Sequence, residues 1–131
     1  MKLKTIIEAK AALAALAEKR FSDYKKLREI VKLRKAVDAE CEFYLEQEKK
    51  AIDLYAEKTQ DGSPAFLADG RLKLKDPKSK MEFEAELLRL QDTDIDGIAP
   101  VTLAEKDFLS ASDLPTANDM IALEGIIIFE D

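Results

Sequence analysis

SDYKKLREIVKLRKAVDAECEFYLEQEKKAIDLYAEK, residues 22–58, decides the fold. Tyr24, Leu27, Val31, Val37, Cys41, Tyr44, Ala51, Ile52 and Tyr55 recur in it at near-helical spacing, flanked by Ile30, Leu33, Leu45 and Leu54. Glu40, Glu42, Glu46, Lys49, Lys50 and Asp53 mostly fill the opposite face. The pattern predicts one long amphipathic helix, about 55 Å at about 1.5 Å per residue. A compact chain of this length is roughly 36 Å across. Part of the apolar stripe must therefore pack on the C-terminal half or on another chain.

Upstream, Ile6, Ala9, Leu13, Leu16 and Ala17 hold one face of a shorter helix over residues 4–19. Ile7, Ala11, Ala14 and Ala15 widen that face, so cover on more than one side is expected. Phe21-Ser22-Asp23 offers two N-cap residue types but no Gly or Pro, which favours a turn between the helices over one continuous helix. Residues 1–58 then read as a long antiparallel helical hairpin.

Downstream, residues 59–64 concentrate stop signals, and Asp69-Gly70 between Phe66-Leu67 and Leu72-Lys73-Leu74 predicts a short β-hairpin. Asp76-Pro77 opens a third helix carrying Met81, Phe83, Leu87, Leu88 and Leu90 as far as Gln91. Alternation through Thr93, Ile95, Ile98, Val101 and Leu103 suggests one or two extended segments split by Pro100. Leu114-Pro115-Thr116 starts a short helix through Met120 and Leu123. The β-branched run after Gly125 fits either a strand or more helix. The fold class is α+β, mainly α, in a single domain over 1–131: a helical hairpin (1–58), then a small β element, a helix and a mixed C-terminal part with a short helix (59–131).

Composition narrows function more by exclusion than by signature. The chain has no His and one Cys, so a structural zinc site of four N/S ligands cannot be built within it, and triads lose their commonest base. A single Cys41, no secretory leader pattern and no apolar run near the roughly 18 residues of a spanning helix point to the cytoplasm, with no membrane partner. Cys41 sits on the apolar stripe, where core packing is expected. No cofactor is expected. The acidic side chains are numerous enough for carboxylate pairs to arise by chance, and they do not argue for acid-base catalysis.

Two charged stretches remain. Lys19, Arg20, Lys25, Lys26, Arg28, Lys32, Arg34 and Lys35 face only Asp23 and Glu29 in the same stretch. Lys25, Lys26, Arg28, Lys32, Arg34 and Lys35 are thus candidates for following a phosphate backbone, although the whole chain carries −6. From Asp92 onward the chain is acidic apart from Lys106, a complement that steers the two stretches together within one chain or between subunits. Asp92, Asp94 and Asp96 before Gly97 match the start of a calcium loop, a weak metal candidate because Leu103 stands where the bidentate Glu belongs.

The order of Met1-Lys2-Leu3, Tyr24-Lys25-Lys26-Leu27, Tyr55-Ala56-Glu57-Lys58, Glu86-Leu87-Leu88 and Pro115-Thr116-Ala117-Asn118-Asp119-Met120-Ile121-Ala122-Leu123-Glu124 resembles a loose family of small tailed-phage and prophage proteins of uncharacterised function. The resemblance implies a phage-derived product in a bacterial cytoplasm, and it brings no catalytic residues. The expectation is a non-enzymatic protein acting through self-association or another phage or bacterial protein. The alternative is a nucleic-acid-binding accessory protein that uses residues 19–35.

Overall fold

The computed structural model of the protein describes residues 1–130. It is mainly helical: α1 (Leu3–Ala17), α2 (Tyr24–Tyr55), α3 (Pro77–Gln91) and α4 (Ala117–Leu123), with strands β1 (Val101–Ala104) and β2 (Ile127–Glu130). The chain divides into two compact units, one from Met1–Cys41 with Asp94–Asp131, the other Glu42–Thr93. The division falls inside α2.

In the first unit, α1 buries Leu3, Ile6, Ala9, Ala12, Leu13 and Leu16. Ala11 and Ala15 stay exposed, so the cover is narrower than the Ala-rich pattern suggests. The buried side of α2 is Ile30, Leu33, Val37 and Cys41, while Tyr24 and Val31 face outward. The expected stripe is thereby rotated at its start, because the Ile30 series carries the longer uninterrupted apolar face. Phe108, Leu103, Leu123, Ile126 and Ile127 complete this core.

The turn between α1 and α2 is present and is held from outside. Ser22 Oγ donates to the Lys106 carbonyl at 2.6 Å, and its N–H donates to the Asp107 carbonyl at 2.8 Å. The buried Asp107 carboxylate accepts the Ala104 N–H at 2.8 Å, which closes the turn after β1. Those bonds keep Ser22 off the helix, and α2 starts at Tyr24 rather than at residue 22.

Ile127–Glu130 is a strand, paired parallel to β1 with Val101 opposite Ile127 and Leu103 opposite Phe129. A parallel pair needs a crossover, and residues 105–126 supply it through α4. Gly125 ends the helix beside α1, so close to Thr5 that a Cβ there would run into Thr5 Cγ2.

In the second unit the end of α2 lies antiparallel to α3. Gln91 Nε2 donates to Tyr44 Oη at 3.0 Å near one end. The Tyr55 and Phe83 rings meet edge to face, 6.3 Å apart, near the other. The start of α3 follows its sequence signals: Pro77 is its first residue, and Asp76 accepts the Ser79 N–H at 2.7 Å.

Between these helices the expected hairpin forms and is joined by residues 56–58 into a three-way crossing. Phe66 bridges Leu72 around the Asp69-Gly70 turn, but Ala56 also bridges Leu74 and Lys58 bridges Pro64. Glu57 N–H donates to Lys73 O, Lys73 N–H to Ala65 O, and Ala65 N–H to Glu57 O, at 2.9, 2.9 and 2.8 Å. This closed triangle draws residues 56–58 out of helical geometry and stops α2 at Tyr55 instead of residue 58. Gly62 and Gly70 take φ of 85° and 86° at the two turns, a conformation that favours glycine.

Candidate interaction surfaces

A helix turns about 100° per residue, so Lys25, Arg28, Lys32 and Lys35 fall on one side of α2. All four are exposed, and among the described residues none makes an ion pair. Tyr24 stands exposed at the start of this stripe. The other two candidates turn away from it. Lys26 Nζ donates to the Thr102 carbonyl at 2.9 Å and lies 3.6 Å from Glu29. Arg34 pairs with Glu18 at 3.4 Å and with Asp38 at 3.9 Å. The ion pairs of the basic stretch therefore run to Glu18, Glu29 and Asp38 rather than to the acidic tail, because these partners lie within a turn or on the facing helix end.

Beside the stripe lies an open cleft of about 450 Å³, lined by Lys26, Lys32, Leu33, Ile98, Pro100 and Val101 among others. Its apolar wall is edged by Lys26, Glu29 and Lys32, charges of both signs.

Of the metal candidates Asp92, Asp94 and Asp96, Asp92 caps the C-terminus of α3, Asp94 pairs with Lys2 at 3.4 Å and Asp96 is exposed. Further along the acidic tail, Asp113 accepts from the Arg20 N–H at 3.3 Å and from Ser110 Oγ. No group of three His, Cys, Asp or Glu side chains able to hold a metal ion occurs among the described residues. Cys41 is buried, and its desolvation pushes the thiol pKa up, partly offset by Lys10.

The second unit has the most unusual surface. Tyr44, Ala51 and Ala56 are its buried hydrophobics, and none of the residues of α3 is buried. Phe83, Leu87 and Leu90 turn toward α2 and are half-buried. Met81 and Leu88 point the other way and are 72% and 67% exposed. The sequence reading placed all five on one helix without dividing them between faces. The signal was there in the i, i+7 interval from Met81 to Leu88, with Ala85 between them.

Comparison with known proteins finds no matching family model, no similar curated protein and no similar solved structure. No described helix is long and apolar enough to cross a membrane.

Proposed function

We propose that the protein is a non-enzymatic component of the small tailed-phage type that its sequence order resembles, acting in a bacterial cytoplasm by self-association through the unit of residues 42–93. The observation that carries this reading is α3, which buries no residue while exposing Met81 and Leu88. Two helices with three buried hydrophobics have little core of their own, and helices of this length draw their stability from packing. A second copy supplies that packing by the symmetric route most soluble oligomers take. Sedimentation equilibrium tests it: the expected mass is a multiple of 14.7 kDa, and a mass of 14.7 kDa at high concentration would overturn it.

A second reading, nucleic-acid binding, is favoured by Lys25, Arg28, Lys32 and Lys35 on one side of α2, four cations without an ion pair among the described residues. It expects retardation of DNA or RNA at low salt that fades steeply as salt rises. No retardation at low salt eliminates it.

A further inference from the structure

We infer that the free edge of β2 takes up an extended segment of another protein as a third strand, a segment that alternates apolar and basic residues. The two edges of the sheet are built differently. Val101 N–H donates to the Ile126 carbonyl at 3.1 Å, and Val101 stands opposite Ile127. In a parallel ladder of that register Val101 and Leu103 bond toward β2, while Thr102 and Ala104 turn away from it. This outer edge of β1 is closed by side chains: Lys26 Nζ donates to the Thr102 carbonyl at 2.9 Å, and the Ala104 N–H donates to Asp107 Oδ2 at 2.8 Å. On β2 the same ladder uses Ile128 and turns Ile127 and Phe129 outward. Neither the N–H nor the carbonyl of these two residues has a hydrogen-bond partner among the described residues. Folded chains block such edges or bind through them, and here one edge is blocked and the other is not.

Room for a strand lies alongside. An open cleft of about 440 Å³ is lined by Met120, Ile121 and Glu124 on one side and by Ile127, Ile128 and Phe129 on the other. Successive strand side chains point to opposite faces, so a cleft touching all three runs along the edge rather than over one face. Met120, Ile121 and Ile128 are exposed there and offer apolar contact to alternate side chains of an added strand. The charge has one sign. Glu124 lines the cleft, Glu130 ends β2, and from Asp107 to Asp131 there is no Lys or Arg. The β2 edge of a second copy would bring only more acid to this place, whereas a cationic strand is complementary.

The edge belongs to the first unit and α3 to the second, so strand addition and oligomer mass are read separately. The full chain is mixed with a short capped peptide of alternating lysine and valine, and amide hydrogen exchange is followed by NMR. Exchange at Ile127 and Phe129 is expected to slow by roughly tenfold, while Ile128 and Glu130, already bonded to β1, change little. A strand shows alternate N–H groups to its neighbour. Of two further peptides, one N-methylated at every valine and one at every lysine, at least one should therefore bind roughly tenfold more weakly. Glu124, which is exposed, gives the charge readout. Glu124→Lys is expected to weaken the lysine peptide by about threefold to fivefold and to strengthen a glutamate-valine peptide. Unchanged exchange at Ile127 and Phe129, or undiminished binding of both methylated peptides, overturns the added strand. A glutamate-valine peptide that binds the unaltered chain as tightly as the lysine peptide overturns the cationic partner. Slow exchange at both amides without peptide, in a chain of dimeric mass, gives the edge to a second copy and overturns the inference as well.

Discussion

Phe21, in the turn between α1 and α2, stacks on Phe108 from the segment after β1, with ring centroids 5.0 Å apart and planes inclined by 29°. The two also form an antiparallel bridge, flanked by the Leu109 N–H donating to the Arg20 carbonyl at 3.0 Å. Both rings are almost fully buried. The turn is thus fastened by aromatic packing from a distant part of the chain, not by Gly or Pro chemistry of its own. Phe108→Ala should lower stability by about 3–5 kcal/mol, read by urea unfolding. Phe108→Leu, which keeps the volume better, should cost clearly less. Equal losses for both would show that the ring contact matters little.

Gly125 and Thr5 touch too closely for any side chain on the glycine. Gly125→Ala is expected to destabilise by about 1–3 kcal/mol, because the added Cβ would overlap Thr5 Cγ2 on α1. Thr5→Ser removes the methyl group in the way. The double variant should therefore recover most of the loss in thermal unfolding, and the absence of any recovery would place the fault elsewhere.

Asp76 is held below the usual carboxylate range by the Ser79 N–H it accepts, with smaller help from Lys78. A depressed folded pKa contributes stability that is present above the unfolded value and is lost as pH falls through the folded one. The cap of α3 should therefore release in acid, below the normal carboxylate range, and the Ser79 amide resonance should titrate with it. Asp76→Asn keeps a capping side chain that does not ionise, so its Ser79 resonance should stay flat over the same range.

Cys41 should be nearly inert to iodoacetamide in the folded protein. Its thiol is buried, and desolvation raises its pKa. The sign follows: the contribution to stability is complete below the ordinary thiol value and fades as alkaline pH approaches the raised one. Alkylation near neutral pH should run at least roughly tenfold faster in urea-unfolded chain than in folded chain. Equal rates would mean that the first unit opens readily around α2.

Local chemistry was legible in the sequence where a single residue decides an outcome. Asp76-Pro77, Thr116 as the cap of α4 and the Asp69-Gly70 turn appear where the residue types place them. The division of a helix between faces was harder to read. Six basic residues of α2 looked equivalent, yet Lys26 and Arg34 turn to partners while Lys25, Arg28, Lys32 and Lys35 face outward. A 100° rotation separates those sets, but only the buried Ile30 series fixes which side is outside. The parallel pairing of β1 with β2 had no local signal at all, since its register depends on Val101 and Ile127 meeting across a crossover. The same holds for the exposed side of α3, where Leu88 and Leu87 are adjacent in sequence and opposite in fate.

The ring of backbone bonds through Glu57, Ala65 and Lys73 has a kinetic consequence. Every contact in it joins residues close in sequence, so the loops to be closed are short and the crossing forms on the timescale of a hairpin, about 1–10 μs. Once closed, each of the three residues both donates to and accepts from the ring, so none of these six groups is left to template the strand of another chain. The apolar run around Phe66, Leu67 and Leu72 would otherwise invite misassembly during synthesis. Early closure withdraws that backbone from the competition before α3 is complete, and leaves side chains, not strand edges, to choose the partner of this unit.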